Sequence, residues 1–333
     1  MLELKVRVSA PGKALLFGEH AVVYGKPSIT LAIDKRVTID ARRTEEKTIR
    51  VRARDLQLSG LDVKLSLSSE KIQFKTDYER LRNALKYVNV AAKNTFKKYN
   101  VDGGLDVSIK SELIVGAGTG SSAAITVATI KAISELFDLN LNDKEIFELG
   151  VETKQEIDKK VSGSDIAAST FGGIVYYKCG KVEKIKTNLK LPIILGYSKI
   201  SGKTSEMVGK VLEMKQKYPK AVNSIFNSME EVTDEGRRIL EKNGPVERLG
   251  ELMNINQGLL DALGVNMYKL SQLIYAARNA GGLGAKISGA GGGKCIIVLA
   301  KKENLNLISK SIELFDGLPI ITKISETGVR VEK

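Results

Sequence analysis

A glycine-rich segment, VGAGTGSSAA at residues 115–124, constrains this chain more than any other stretch. It follows a strand-like segment, LDVSIKSEL, and precedes an apolar stripe of helical spacing within residues 128–137. Glycine permits positive φ and close backbone approach, and Ser121 or Ser122 can cap the following helix. Because the first N–H groups of a helix lack internal partners and carry partial positive charge, the segment is a candidate phosphate loop. A tight strand-to-helix turn without a ligand is the alternative.

The segment does not match the common nucleotide fingerprints. No lysine follows Gly120, so it is not a GxxxxGK[ST] loop, and strict GxGxxG also fails. The looser GxGxxA pattern is met by Gly118, Gly120 and Ala123, but the acidic strand end expected about 20 residues later falls in ELFDLNLNDKE, which joins two predicted helices. A second glycine loop, SGAGGGKC at residues 288–295, is a near miss for the first pattern. Two such loops suggest that two backbones approach the same ligand.

Other polar residues are candidates for the same site. Lys13 lies in SAPGK, which we predict to be a turn that ends the strand at residues 3–8. His20 is the only histidine, and Asp165 lies in the segment SGSD, just past a predicted helix end. Each has an ordinary alternative role: a solvated lysine, a structural histidine and a turn aspartate. Three glutamates share one face of the preceding helix at i, i+4 and i+8, where a solvated stripe is the alternative: Glu148, Glu152 and Glu156.

Composition narrows the functional class. The chain has 333 residues, 52 Lys+Arg, 39 Asp+Glu and a net charge of +13, but its basic residues are mixed with acids and no aromatic-studded basic strand is present. We therefore expect no nucleic-acid partner and attribute the charge to an anionic small molecule or to solubility. No apolar run approaches the roughly 20 residues that span a membrane, and Cys179 and Cys295 form no disulfide framework. We expect a cytoplasmic protein that does not bind membranes.

Local signals predict several elements. Residues 79–99 carry helical apolar spacing, and a helix opens at Asn142 with Glu145 three residues on, as in a capping box. FGGIVYYKCG and KVEKIKT predict a hairpin, and helical patterns fill residues 205–275. We place a domain boundary before the strand-like LPIILGYS, between residues 187 and 188.

Four ordered motifs carry a family resemblance. SAPGKALLFGEHAVVYGKPSITLAI, VGAGTGSSAA, VSGSDIAASTFGG and KISGAGGGKC resemble motifs of the GHMP kinases, and GEHAVVYG and SGSDIAASTFGG resemble the mevalonate kinase branch. The resemblance implies an α+β two-domain fold: an N-terminal nucleotide- and phosphate-binding domain (1–187) with a left-handed β-α-β unit, and a ferredoxin-like C-terminal domain (188–333). It implies Mg²⁺-dependent transfer of the γ-phosphoryl group of ATP to the 5-hydroxyl of mevalonate, in isoprenoid synthesis. Phosphomevalonate kinase, homoserine kinase and a nucleotide-binding regulator without catalysis are the alternatives, and monomer and homodimer both stay open.

The resemblance also implies residue roles. Asp165 matches the catalytic aspartate and Lys13 the lysine beside it, while substrate contacts fall to Glu19, His20 and Thr204. The loop implied to bind the nucleotide phosphates comprises Gly116, Ala117, Gly118, Thr119, Gly120, Ser121, Ser122 and Ala123, with Gly289, Ala290 and Gly291 from the second loop. The implied metal ligands are Ser122 and a glutamate.

Two positions depart from the family pattern. The metal-binding glutamate is expected eleven residues before the catalytic aspartate, and that position is Lys154. We assign the metal contact to Glu156, which is nearer the catalytic loop than Glu152, the other candidate. Lys294 stands where the family often has glycine; it either reaches a phosphate or points to solvent, and we favour solvent.

Overall fold

The computed structural model describes residues 4–53, 61–66, 79–114, 116–158, 161–200 and 202–332. The strands are β1 (Lys5–Phe17), β2 (Ser28–Thr44), β3 (Thr48–Ala53), β4 (Leu61–Ser66), β5 (Gly104–Ser111), β6 (Ile174–Lys178), β7 (Lys181–Ile185), β8 (Ile193–Tyr197), β9 (Gly282–Ser288), β10 (Cys295–Ala300), β11 (Leu318–Thr322) and β12 (Arg330–Val331). The α-helices are α1 (Glu79–Lys98), α2 (Ser121–Leu136), α3 (Asp143–Ile157), α4 (Ser164–Phe171), α5 (Thr204–Lys217), α6 (Pro219–Glu241), α7 (Val246–Ala262), α8 (Tyr268–Asn279) and α9 (Leu305–Leu314).

A large sheet, built mainly from the first half of the chain, has the order β12-β1-β2-β5-β3-β4. Strand β6 also pairs with β2, and β7 pairs with β6. The pair β3–β5 is parallel and is connected through β4 and α1. Helices α1 to α4 pack together, and α2 and α4 lie against β1 and β2. Their apolar faces form one core with the sheet, and this core also takes in Val232 from α6 and Leu249 from α7.

The second half builds a four-stranded antiparallel sheet in the order β11-β8-β10-β9. Numbered within this unit the order is 4-1-3-2, and helices follow its first and third strands, as in a ferredoxin-like βαββαβ unit. Four helices, α5 to α8, fill the first connection. The fold is therefore the two-domain α+β arrangement expected from the sequence motifs.

The predicted boundary at 187/188 lies between β7 of the first sheet and β8 of the second. The last residues do not stay with the second sheet, because β12 pairs with β1 and Ile324 bridges to Ile33 of β2. The first sheet thus holds both ends of the described chain, which the simple division into 1–187 and 188–333 omits.

Several local predictions are confirmed. Asn142 caps α3, and its side chain accepts from Lys144 and Glu145 N–H groups while Glu145 reaches back to the Asn142 N–H. Strands β6 and β7 form the predicted hairpin.

A separate finding concerns membrane spans. In the part of the chain that the structure describes, none of the helices combines the length and the apolar composition that a span requires.

The prediction that SAPGK ends the first strand is wrong. β1 continues to Phe17, and its pairing with β2 shifts between Pro11 and Gly12. Such a bulge accommodates proline, which has no N–H to give to a ladder. Lys13 therefore lies within a strand, not in a turn.

Candidate active site

A cavity of about 950 Å³ lies where the two sheets meet, and every chemical motif of the sequence reaches it. Its walls come from β1, the loop before α2, the α3–α4 connection, the start of α5 and the loop between β9 and β10. Most sequence-predicted site residues line it: Lys13, Glu19, His20, Gly116, Gly118, Gly120, Ser121, Ser122, Asp165, Thr204, Gly289 and Ala290. Ala117, Thr119, Ala123 and Gly291 lie behind this lining, and Glu156 is elsewhere.

The first glycine loop has the backbone that its sequence predicts. Gly116, Gly118 and Gly120 have φ of 86°, 82° and 84°, so every second residue is left-handed. Gly120 is the N-cap of α2, and neither Ser121 nor Ser122 caps the helix through its side chain. The expected serine cap is therefore wrong, because the glycine backbone already turns the chain into the helix. Both hydroxyls line the cavity, beside the N-terminus of α2.

The first glycine loop packs directly against strand β1. The Lys13 N–H donates to the Thr119 carbonyl at 2.8 Å. A Cβ on Gly12 would lie 2.5 Å from Leu113 Cδ2 and 2.7 Å from the Thr119 oxygen, so only glycine allows the loop to come this close. A Cβ on Gly120 would lie 2.6 Å from Lys13 Cγ. The glycines of the loop and strand thus bring Lys13 into direct contact with the first glycine loop.

The second glycine loop closes the cavity from the opposite side. It is tied to β1 by the Leu15 N–H, which donates to Ser288 Oγ at 2.9 Å. The expectation that Lys294 points to solvent is wrong: its Nζ donates to Thr204 Oγ1 at 2.5 Å, and its stem passes 3.3 Å from the position of a Cβ on Gly118. Burial, together with the charges of Lys13 and Lys154, lowers the pKa of Lys294 to about 8. The Lys294 side chain therefore lies between the two glycine loops.

Asp165 lies in the first turn of α4, not in a loop after a helix. The same helix is anchored to the bulge of β1, because Ser169 Oγ donates to the Pro11 carbonyl at 2.9 Å. Lys154 Nζ forms an ion pair with Asp165 Oδ2, and the Ile166 N–H donates to Oδ1 at 2.9 Å. Burial alone would raise the pKa of Asp165, but the Lys154 ammonium outweighs it and holds the pKa below its ordinary value. Asp165 is thus a carboxylate at neutral pH.

Lys13 and Lys154 both interact with the Asp165 charge, but their pKa values shift in opposite directions. Burial lowers the pKa of Lys13 below its ordinary value, and the Asp165 charge opposes that change without reversing it. Burial also acts to lower the pKa of Lys154, but its direct contact with Asp165 leaves that pKa raised. Two lysine side chains, Lys13 and Lys154, therefore lie beside the Asp165 carboxylate at the cavity wall.

Glu19 and His20 are fixed by the protein itself. The Glu19 side chain and that of Lys286 are both 0% exposed and form an ion pair, and Asn256 Nδ2 donates to the other Glu19 oxygen at 3.0 Å. His20 has a φ of 59° and its Nε2 donates to the Ala290 carbonyl at 2.9 Å. Burial lowers the pKa of His20, so the ring is neutral at neutral pH. The segment GEH thus joins the first sheet to the second glycine loop at the cavity wall.

The assignment of a metal contact to Glu156 does not fit the structure. Glu156 is exposed and accepts a hydrogen bond from Asn94 Nδ2 at 3.0 Å, while Glu152 pairs with Lys98 on the same outer face. Lys154 and Ile157 of α3 line the cavity, as does Asp158, which follows the end of the helix. Asp158 accepts a hydrogen bond from Tyr87 OH at 2.9 Å.

The sequence patterns missed Lys154, Asp158 and Lys286 as site residues. A signal was present for Lys154, which continues the buried stripe of Ile146 and Gly150 at i+4 intervals. Lys286 stands in the mainly apolar strand β9, and a lysine buried there requires a partner that compensates its charge. That this partner is Glu19 depends on how the strands pack, which the sequence alone does not show.

Comparisons with known proteins agree with this geometry. The family model described as GHMP kinases N terminal domain matches residues 86–173, and that described as GHMP kinases C terminal matches residues 239–313. A mevalonate kinase of Thermococcus sibiricus is 44% identical over 333 residues, which is 99% of each chain, and one of Pyrococcus furiosus is 44% identical over 337 residues with the same coverage.

Solved structures point the same way. The Methanococcus jannaschii mevalonate kinase is 32% identical with a TM-score of 0.82, covering 97% of this chain and 99% of its own. The L. major mevalonate kinase in complex with R-mevalonate is 25% identical with a TM-score of 0.81, covering 98% of both chains. With its motifs joined in one cavity and relatives matching from end to end, the chain belongs to the GHMP kinases and, within them, to the mevalonate kinase family.

Proposed function

We propose that this protein transfers the γ-phosphoryl group of ATP to the 5-hydroxyl of mevalonate, giving 5-phosphomevalonate and ADP. The observation that carries the proposal is the convergence of a glycine loop at a helix N-terminus, the Asp165 carboxyl group with its Lys154 ion pair, and the Lys13 side chain in one cavity. Phosphoryl transfer depends mainly on positioning and on neutralising charge, and these groups supply both. The mevalonate kinase relatives, aligned over almost the whole chain, supply the choice of alcohol.

The phosphates of ATP are assigned to the loop of residues 116–122. Its left-handed glycines and the free N–H groups at the start of α2 suit an anion, because the helix dipole adds partial positive charge there. Lys294 crosses from the second loop to Gly118 and is positioned to add a cation to the same phosphates. The γ-phosphoryl group would then face Lys13 and Asp165.

The alcohol is assigned to the side of the cavity formed by Glu19, His20 and Thr204. In this position its 5-hydroxyl can donate its proton to Asp165 as the bond to phosphorus forms. Lys13, seated beneath the loop, stabilises the negative charge that moves between nucleotide and acceptor. The ion pair with Lys286 keeps Glu19 fixed, so Glu19 shapes the pocket and does not act as a second base.

The donor groups of the cavity fit Mg²⁺, which prefers oxygen ligands and is usually held by one or two carboxylates together with substrate phosphates. Among the described lining residues, Glu19 and Asp165 are paired with lysines, which leaves Asp158 as the available carboxylate and Ser122 as a hydroxyl ligand. A magnesium ion held there would supply positive charge that offsets the negative charge of the phosphates. We assign its protein contacts to Ser122 and Asp158 in place of Glu156.

An ADP-release assay with Mg-ATP tests the proposal. The acceptors are mevalonate, phosphomevalonate, homoserine and galactose, each offered separately to the purified protein. We expect turnover with mevalonate alone. Turnover with another alcohol and not with mevalonate would contradict the assigned specificity while leaving the phosphoryl-transfer chemistry in place.

A further inference from the structure

Lys154 occupies an unusual position for a lysine. Its side chain is 10% exposed, it lies on the cavity face of α3, and it pairs with Asp165 eleven residues later. The acids on either side of it, Glu152 and Glu156, face outward toward Lys98 and Asn94 of α1. The helix therefore presents a cation, and not a carboxylate, to the group that the proposed function uses to accept the hydroxyl proton.

The contacts of Asp165 show what this cation does. Among the described residues, each carboxylate oxygen has one donor, Lys154 Nζ on Oδ2 and the Ile166 N–H on Oδ1. The side chain is 19% exposed, so the carboxylate still faces the cavity. A carboxylate held at both oxygens cannot rotate freely, and this one is held at the wall of the cavity to which the acceptor is assigned.

We propose that Lys154 is a positioning residue for phosphoryl transfer, an inference that rests on the proposed function. It orients the Asp165 carboxylate toward the acceptor hydroxyl and keeps it ionised, at the position where the family resemblance implies a metal-binding glutamate. In this chain a protein ammonium group, fixed by burial, stands beside the catalytic carboxylate. The metal contact moves one helical turn on, to Asp158.

Other described groups would still interact with the Asp165 carboxylate if Lys154 were replaced. Lys13 approaches from β1, Tyr87 from α1 and Tyr177 from β6, and each interacts electrostatically with Asp165. Lys154 makes the largest contribution that lowers the pKa of Asp165 and Lys13 a smaller one, so removing Lys154 should raise the pKa of Asp165. The effect is therefore visible as a shift in the acid limb of the pH–rate profile.

Three variants separate charge from structure. Lys154→Met removes the charge and keeps the aliphatic stem, Lys154→Gln keeps a hydrogen-bond donor without charge, and Lys154→Arg keeps the charge. Lys144→Met is the matched control, because Lys144 lies on the same helix with a side chain that is 81% exposed. Steady-state kinetics with mevalonate and Mg-ATP are measured across pH, and circular dichroism and thermal melting monitor folding.

We expect kcat to fall about 100-fold in Lys154→Met, the loss typical of a misplaced reacting group, with little change in the KM for ATP. The acid limb of kcat/KM should move to higher pH in Lys154→Met and Lys154→Gln. It should return toward the wild-type position in Lys154→Arg, and Lys144→Met should behave as wild type.

The inference is overturned if Lys154→Gln or Lys154→Met keeps the wild-type acid limb and kcat, or if Lys154→Arg is no better than Lys154→Gln. If Lys154→Met does not fold, the arginine and glutamine variants decide the question by the same comparison. If neither of those folds, Lys154 is a structural residue and the inference is wrong. Absence of mevalonate turnover in the wild-type protein would instead overturn the proposed function.

Discussion

Substituting Gly120 by alanine tests how closely the glycine loop of residues 116–120 must pack against β1. The new Cβ would lie 2.6 Å from Lys13 Cγ and 3.1 Å from the Lys13 backbone nitrogen, in a residue with a φ of 84°. The lysine stem can move, but the backbone nitrogen belongs to a paired strand and donates to the Thr119 carbonyl. Relief of the clash therefore requires the loop to lift or Lys13 to leave its position.

The magnitude has two parts. Holding alanine in the left-handed region costs roughly 1–2 kcal/mol, and overpacking against a fixed neighbour costs typically about 1–3 kcal/mol. Gly116→Ala is the matched control, since Gly116 has a φ of 86° and a Cβ there meets nothing within 4 Å. We expect the free energy of unfolding of Gly116→Ala to fall by the backbone cost alone. That of Gly120→Ala should fall by the backbone cost and the overpacking cost together.

Urea unfolding of both variants measures the difference, and steady-state kinetics measure its consequence. Because the clash displaces Lys13, Gly120→Ala should lose kcat with mevalonate more severely than Gly116→Ala. Equal destabilisation of the two variants, with equal kinetics, would show that the contact between the loop and Lys13 constrains neither the fold nor the site.

Three further outcomes follow from the charged groups of the cavity. Glu19→Gln should lower the free energy of unfolding by about 3–5 kcal/mol, because it leaves a buried lysine unpaired. Urea unfolding of the double variant Glu19→Gln/Lys286→Met should show a smaller loss of stability than the sum of the two single-variant losses. Burial lowers the pKa of Lys294 to about 8 from an ordinary 10.5, so between these values the unfolded state holds more protons and the measured stability should rise with pH; Lys294→Met should lose that rise. Asp165→Asn should reduce kcat by roughly 10²–10⁴-fold while calorimetry still detects ATP binding, and near-normal turnover would remove Asp165 from the proposed base role.

Local sequence signals predicted the parts of the site that depend on local backbone chemistry. Three alternating glycines before an apolar stripe specify a strand–loop–helix turn, and Asn142 with Glu145 specifies a helix start; both are present. The same signals misplaced Lys13, because Pro11 and Gly12 indicate a turn when the partner strand is not known. In the sheet, pairing with β2 across a bulge carries the strand through both residues.

The charge pairs of the site could not be predicted in the same way. Glu19 and Lys286 are 267 positions apart, and their contact depends on how the two sheets pack. Lys154 and Glu156 show a more local failure: two residues along a helix differ by about 200° in direction, so choosing the acid nearest the catalytic loop selected the outward face. The buried stripe of α3 distinguishes the two residues, because Lys154 lies on it and Glu156 does not.

The position of the phosphate on the product tests the central claim most directly. Mevalonate carries a primary 5-hydroxyl and a tertiary 3-hydroxyl, which phosphorus NMR without proton decoupling distinguishes. We predict a phosphomonoester signal split into a triplet by the two protons at carbon 5, formed by the wild-type protein with Mg-ATP and greatly reduced with Asp165→Asn. An unsplit signal would place the phosphate on the tertiary oxygen, and no signal with mevalonate would mean that the cavity serves a different acceptor; either would contradict the proposed reaction.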